Sequence, residues 1–128
     1  MKTIHTLCAL FALLIAPPLF AHSHLAASDP ADGATLAHAP EQVSLKYSEP
    51  LELRYSTFSL HRLGNDQAAE PTAENAVKTG PVRARDGGSA VVLPVPTTLE
   101  PGWYGVDWEV LSIDGHTSQG VLRFRIGE

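Results

Sequence analysis

Apolar and polar residues alternate along several stretches of this chain, and the alternation is clearest between residues 102 and 111. The apolar row of this stretch comprises Tyr104, Val106, Trp108 and Val110. A period of two places such a row on one face of a β-strand. The pattern therefore predicts a core strand, with Trp108 as an anchor of the core.

Similar patterns predict further strands along the chain. They are a short strand near the start, Val43 to Glu49, one or two strands within 51–63, an edge strand at 81–85, a strand at 89–95, and a last strand at 120–126 with Leu122, Phe124 and Ile126 inside. Polar residues and prolines in 64–76 predict an exposed loop. No stretch shows a helical apolar period. The sequence thus predicts an all-β fold, an immunoglobulin-like antiparallel β-sandwich with Greek-key connections and about seven strands.

The first 21 residues have the pattern of a secretory signal peptide. Lys2 precedes an apolar run over 7–16, and Ala21 offers a small residue for cleavage. The run is short for a membrane span. We therefore expect a signal peptide at 1–21 and one exported domain at 22–128, soluble and without membrane insertion.

The composition argues against disulfide bonds and against nucleic acid as a partner. Cys8, the single cysteine, lies within the predicted signal peptide, so no disulfide is expected in the mature domain. The formal charge is −5. An acidic chain without basic clusters argues against nucleic acid as a partner.

Candidate metal ligands lie at the two ends of the expected domain. Cleavage after Ala21 would leave His22 with a free amine beside its imidazole, and the two nitrogens can chelate one metal ion. His116 would add a third nitrogen and Asp114 an oxygen, projecting to one side if the backbone is extended. Such a set, with the N-terminal histidine as a histidine brace, suits tetragonal Cu(II).

Each candidate ligand has a simpler alternative. Asp114 and Gly115 together are typical of a plain hairpin turn, and His116 alone would be a solvated loop histidine. Glu49, beside a proline, could simply end a strand. His38 and His61 are predicted to be surface histidines.

His24 belongs to a rival metal site. A free amine followed by a histidine in the third position can wrap Cu(II) with two deprotonated backbone amides, and such a site would leave Asp114 and His116 idle. In a folded brace, His24 would instead be a neighbour of the metal or orient its ligands.

The chain resembles the CopC family of periplasmic copper-resistance proteins over essentially the whole expected domain. The motifs that carry the resemblance are His22-Ser23-His24-Leu25, the Ser28–Gly33 turn, Tyr47-Ser48-Glu49-Pro50, and Gly102–Trp108 leading to Ser112-Ile113-Asp114-Gly115-His116. The resemblance implies a periplasmic β-sandwich that binds one Cu(II) per chain. It assigns His22 with its amine, Asp114 and His116 as ligands, and Glu49 as a weak or outer ligand.

Some members of that family also bind Cu(I) through a methionine-rich segment. The single methionine here is Met1, within the predicted signal peptide. A Cu(I) site built from thioethers is therefore not expected. The expected partners are the copper ion and a copper-importing inner-membrane protein, and the chain is expected to be a monomer.

These observations favour a periplasmic protein of copper homeostasis that sequesters Cu(II) or delivers it to an importer or another copper protein. An enzyme is not expected, because no second acid/base set dedicated to a reaction is visible. One alternative is a copper oxygenase, since polysaccharide monooxygenases also use a histidine brace. The other is a structural β-sandwich without metal.

Overall fold

Two β-sheets enclose the core in the computed structural model, which describes residues 23–96 and 98–128. Within these ranges the strands are β1 Leu25–Asp29, β2 Thr35–Leu36, β3 Gln42–Tyr47, β4 Thr57–Gly64, β5 Ala76–Val77, β6 Arg83–Arg85, β7 Ala90–Pro94, β8 Gly102–Leu111 and β9 Thr117–Ile126. Short 3-10 turns occupy Leu53–Tyr55, Ala73–Asn75 and Asp86–Gly88. The predicted signal peptide and His22 lie outside the described residues.

The sheets confirm the predicted β-sandwich. The strand order is β1-β3-β7-β6 in the first sheet and β2-β9-β8-β4-β5 in the second. Neighbouring strands are antiparallel, except that the short edge strand β2 runs parallel to β9. Two of the nine described strands, β2 and β5, have only two residues each, and no sequence alternation marks such short elements.

The core forms where the apolar rows of both sheets meet. Val43 and Leu45 of the first sheet are buried together with Leu60 and Val106 of the second. Trp108 is 8% exposed, as predicted. Its ring meets that of Tyr47 edge to face at 5.2 Å, a favoured aromatic geometry.

A long hairpin of β8 and β9 spans the second sheet. All ten residues of β8 pair with β9, from Gly102 opposite Ile126 to Leu111 opposite Thr117. Strand β9 begins three residues before the predicted start at Gly120, because its pairing with β8 continues through the polar residues 117–119. The turn between these strands, residues 112–116, lies at one end of the sandwich.

The structure also corrects two local predictions. Strand β3 ends at Tyr47 rather than at Glu49. His61 is only 6% exposed and is not a surface histidine, because the segment that leads to β5 folds back over it. No helix in the described ranges is long and apolar enough to cross a membrane.

Candidate metal site

The turn that ends the β8–β9 hairpin carries two of the predicted ligands. The Ser112 amide donates to the His116 carbonyl at 2.9 Å, and the Gly115 amide donates to the Ser112 carbonyl at 3.0 Å. Gly115 has a φ of +92°, a conformation that a side chain would strain. The backbone is therefore a tight turn, as Asp114 and Gly115 together suggested, and the condition of an extended backbone is not met.

This turn nevertheless brings Asp114 and His116 together. Asp114 Oδ1 lies 3.2 Å from His116 Nδ1. The same oxygen accepts a 3.0 Å hydrogen bond from the His116 amide, so the backbone and the ring of His116 converge on one carboxylate. The pairing that the sequence suggested is thus present, but it is produced by a turn.

Ser112 holds the Asp114 carboxylate in place. Its side chain is buried, at 1% exposure, and its hydroxyl donates to Asp114 Oδ1. Together with the His116 amide, this hydrogen bond lowers the pKa of Asp114 from 3.8 to about 2. Asp114 is therefore an anion at neutral and mildly acidic pH, the form in which a carboxylate binds a metal.

The pair is open to solvent. The side chains of His116 and Asp114 are 48% and 31% exposed, so an ion can approach them without any opening of the core. An anionic oxygen beside an imidazole is a donor set that suits a divalent transition metal.

The start of the described chain lies at the same end of the sandwich. The Ser118 hydroxyl donates to the Ser23 carbonyl at 2.6 Å, and Ser118 follows His116 by two positions in the chain. The Ser23 hydroxyl donates to the Glu49 carbonyl at 3.4 Å. With 2% of its surface exposed, Ser23 is held between the β8–β9 hairpin and the end of β3.

Glu49 belongs to a segment that packs beside the turn. Leu51 forms an isolated β-bridge with Ser112, and the Ile113 amide donates to the Pro50 carbonyl at 3.2 Å. Glu49 itself is partly buried. The structure therefore brings Glu49 to the end of the sandwich that carries Asp114 and His116.

His24 is exposed, and its backbone is already engaged. Its amide donates to the Ser48 hydroxyl at 3.0 Å, and its carbonyl accepts from the Ser48 amide at 3.0 Å. A local chelate would need the deprotonated His24 amide as a ligand. The observed pairing with Ser48 competes with that use.

The described residues contain no group of three or more His, Cys, Asp or Glu side chains arranged to hold a metal ion. Of the predicted ligands, Asp114 and His116 are in contact, Glu49 and His24 lie in neighbouring segments, and His22 is outside the described ranges.

Sequence reasoning missed the supporting serines. The alternation of apolar and polar residues does not single out Ser112 or Ser118. A serine two residues before an aspartate is a recognisable signal, because short polar side chains often bond to groups nearby in the chain. The contact between Ser23 and Ser118 depends on the fold and has no such local signal.

Comparison with known proteins places these features in a family. Residues 25–127 match the family model of the CopC domain. The chain belongs to the CopC family. Protein YobA of Escherichia coli strain K12 is 32% identical over 95% of this chain and 92% of its own length. Copper resistance protein C of Xanthomonas campestris pv. juglandis is 31% identical over 94% of this chain and 92% of its own.

Solved structures agree with this assignment. CopC from Methylosinus trichosporium OB3b aligns with a TM-score of 0.68 and 27% identity over 83% of this chain and 94% of that one. PcoC, a methionine-rich copper resistance protein from Escherichia coli, also gives a TM-score of 0.68, with 28% identity over 83% of this chain and 99% of that one. The CopC fold predicted from the sequence is thus confirmed.

A copper-related function follows from membership of this family, which includes copper resistance proteins and is not a family of enzymes. A longer relative is the copper transport protein CutJ of Bacillus subtilis, 26% identical over 93% of this chain but only 20% of its own length. In CutJ, a region similar to this chain is therefore part of a much larger polypeptide. Unlike methionine-rich PcoC, the present chain has a single methionine.

Proposed function

We propose that this protein is exported to the periplasm, where it binds one Cu(II) ion for sequestration or delivery. The proposed ligands are the amine and imidazole of His22 after signal cleavage, the Asp114 carboxylate and the His116 imidazole. Glu49 would be an outer oxygen ligand, and His24 would lie beside the site without binding the metal.

The observation that carries this proposal is the position of Ser23. Its carbonyl accepts the 2.6 Å hydrogen bond from Ser118, so the backbone at residue 23 is fixed beside the turn that holds His116. Residue 22 is joined to Ser23 by one peptide bond. A mature chain that begins at His22 would therefore begin at the end of the sandwich where Asp114 and His116 lie.

The chemistry of the donors supports Cu(II) over Cu(I). Amine, imidazole and carboxylate groups suit Cu(II), whereas Cu(I) prefers thiolate and thioether ligands. The expected mature chain offers no sulfur, because Met1 and Cys8 both precede residue 22. Binding one ion through both ends of the chain also explains why no local cluster of three ligands is needed.

The first experiment is a Cu(II) titration of protein made with an authentic His22 terminus, against a competing chelator and with electron spin resonance spectra. Two variants accompany it: His116→Ala, and a form with one extra residue before His22. His38→Ala changes an exposed histidine elsewhere and serves as the matched control.

We expect tight one-to-one binding by the authentic protein and by the His38 control, and its loss in both other variants. If only the N-terminal extension abolishes binding, the site is the local chelate of His22 and His24. If the authentic protein does not bind tightly, the proposal is wrong.

Delivery to a membrane importer is the more specific part of the proposal. It is supported by CutJ, in which a region similar to this chain is joined to a larger copper transport protein. A separate chain would have to meet such a transporter as an independent partner. Deleting the gene should then lower cellular copper under copper limitation, whereas pure sequestration predicts greater copper sensitivity and no loss of uptake.

A further inference from the structure

Ser59, His61 and Asn75 form a chain of hydrogen bonds on the outer face of the second sheet. Ser59 and His61 are alternate residues of β4 and project to the same face, and Leu60 between them is fully buried in the core. His61 is opposite Ala76 of β5, which brings the preceding residue, Asn75, to the imidazole. These three side chains are separate from the proposed copper ligands.

The two ring nitrogens of His61 have different partners. Nε2 lies 2.9 Å from the Ser59 hydroxyl, whereas Nδ1 lies 2.8 Å from Asn75 Oδ1 and 2.9 Å from the Thr72 carbonyl. Both partners of Nδ1 are acceptors, so Nδ1 carries the proton and the Ser59 hydroxyl donates to the unprotonated Nε2. The imidazole is thus held in the tautomer that can take a proton from Ser59.

The side-chain amide of Asn75 is oriented by hydrogen bonds of its own. Its Oδ1 also accepts from the Thr72 amide at 2.9 Å, and its Nδ2 donates to the Glu70 carbonyl at 3.1 Å. The reverse orientation would set two N–H donors, the Thr72 amide and Nδ2, against each other. The oxygen of Asn75 therefore faces His61 and fixes the ring from the Nδ1 side.

Ser59 differs from its two partners in exposure. His61 is only 6% exposed and Asn75 is partly buried, whereas Ser59 is exposed. A reagent from solvent can thus reach the Ser59 oxygen while the imidazole stays covered. A serine that donates to an imidazole, itself oriented by a third group, is the arrangement that activates a serine hydroxyl as a nucleophile.

We propose that Ser59 is a site of covalent acylation by activated carboxylic esters. The Ser59 oxygen attacks the carbonyl carbon of the ester as its proton passes to His61 Nε2. The bond from that carbon to the leaving oxygen then breaks, and the leaving oxygen keeps the electron pair and takes the proton from His61. The products are an ester of Ser59 and a free alcohol or phenol, so no further reactant is needed.

The reaction is expected to stop at the acylated chain. Because Ser59 is exposed, the oxygen of the attacked carbonyl would face water rather than preorganised donors, which supply much of the rate in acyl-transfer enzymes. Asn75 is uncharged, so it orients the ring without stabilising the imidazolium as a carboxylate would. Ser59 would thus be a modification site without turnover, and its reactivity does not depend on the proposed copper function.

The test uses p-nitrophenyl acetate as the probe. Absorbance follows the release of p-nitrophenolate, and peptide mass spectrometry locates the acetyl group and gives the rate at each position. Ser59→Ala removes the nucleophile, and Ser44→Ala, on the outer face of the first sheet, is the matched control. His61→Gln removes the base, Asn75→Asp replaces the orienting amide by a carboxylate, and thermal melts check that every variant folds.

We expect one acetyl group at Ser59 in the wild type and in Ser44→Ala. The rate at Ser59 should fall about 100-fold in His61→Gln, the usual size of general base catalysis. It should rise about tenfold in Asn75→Asp, because a carboxylate stabilises the imidazolium that forms. A hydroxyl that only caps the ring would show neither change. His116→Ala, which should lose Cu(II) binding, should be acetylated at the rate of the wild type, and this separates the two proposals.

Two results would overturn the inference. In the first, the acetyl group appears on Lys46, Lys78 or exposed histidines and not on Ser59, so that the probe reacts only with ordinary surface nucleophiles. In the second, Ser59 is acetylated at one rate in the wild type, His61→Gln and Asn75→Asp. His61 would then not act as a base, and its hydrogen bonds would serve only to hold the loop before β5.

Discussion

The Ser118 hydroxyl and the Ser23 carbonyl form a 2.6 Å hydrogen bond between residues 95 positions apart. It fixes the start of the described chain against the hairpin that carries Asp114 and His116. If the proposed site is correct, this bond also brings the N-terminal ligands to the pair formed by Asp114 and His116.

Replacing Ser118 by alanine should therefore affect both stability and copper binding. Losing one hydrogen bond to a buried carbonyl should lower the free energy of unfolding by about 1 kcal/mol. Since the bond positions the residue after His22, Cu(II) affinity should fall about tenfold, as it does when groups that orient metal ligands are removed. Denaturant unfolding and chelator competition measure the two effects. Ser44→Ala, on the outer face of β3, is the matched control, and unchanged affinity in Ser118→Ala would contradict the proposed site.

Asp114 should make the protein without metal sensitive to acid. The Ser112 and His116 hydrogen bonds lower the pKa of Asp114 from 3.8 to about 2. A lowered pKa in the folded state contributes stability above the unfolded value, and this contribution is lost as the pH falls from about 4 towards 2. Asp114→Asn should thus be less stable than the wild type at pH 6, with a difference that shrinks as the pH falls. Urea unfolding at several pH values tests this, with Asp107→Asn as the exposed control.

Two buried tyrosines should respond in opposite ways to loss of the hydroxyl. The Tyr47 hydroxyl is buried without a hydrogen-bond partner in residues 23–96 and 98–128. The Tyr104 hydroxyl donates to the Glu100 carbonyl at 2.7 Å and accepts from Arg62 at 3.0 Å. Tyr47→Phe should leave stability unchanged or raise it, whereas Tyr104→Phe should lower it by about 1 kcal/mol. Equal losses in thermal or denaturant unfolding would contradict the assignment of Tyr47.

Tyr47 also gives an alkaline prediction. Burial raises the pKa of the Tyr47 phenol. Above the ordinary tyrosine pKa, near 10, the phenol loses its proton more readily in the unfolded chain than in the folded protein. The free energy of unfolding is therefore unaffected by this group below about pH 10 and falls as the pH rises above it. In urea unfolding, the free energy of unfolding of the wild type relative to Tyr47→Phe should therefore fall above about pH 10. A difference that stays constant between neutral and alkaline pH would contradict this prediction.

His61 should stabilise the long loop before β5. Its Nδ1 lies 2.9 Å from the Thr72 carbonyl and 2.8 Å from Asn75 Oδ1, and its Nε2 lies 2.9 Å from the Ser59 hydroxyl. Because the first two partners are acceptors, Nδ1 carries the proton and Nε2 accepts from Ser59. His61→Ala should cost about 2 kcal/mol and expose residues 65–75 to proteolysis, while the exposed His38→Ala should change stability by less than about 0.5 kcal/mol. Equal protease resistance in the two variants would show that His61 does not hold the loop.

The sequence predicted the long strands because their side chains obey one simple rule. In β8 every second residue, including Tyr104 and Val106, is apolar and faces the opposite sheet. The alternation of apolar and polar residues in the sequence therefore predicts which side chains are buried. The same rule sorted Leu122 and Phe124 to the inside of β9. It could not find β2, whose two residues pair in parallel with β9 through tertiary proximity alone.

The site was predicted in part for the same reason. Asp114 and His116 are two positions apart, so a local argument could pair them, although a turn rather than an extended backbone brings them into contact. The buried His61 was missed because it faces the polar side of β4 and is covered by Thr72 and Asn75 from a distant segment. The residues next to His61 in the sequence do not predict its contacts with Thr72 and Asn75.

The hydrogen bond between the start of the chain and the β8–β9 hairpin has a topological consequence if copper binds as proposed. An ion held by both His22 and His116 would be a reversible cross-link across almost the whole domain, which would have no cysteine of its own after the proposed cleavage. Closing a loop of about 100 residues restricts the unfolded chain by an amount worth about 4 to 5 kcal/mol in the entropic view of disulfides. The loaded protein would then resist degradation far better than the empty one, and its abundance would follow the supply of copper without any sensor or regulated gene.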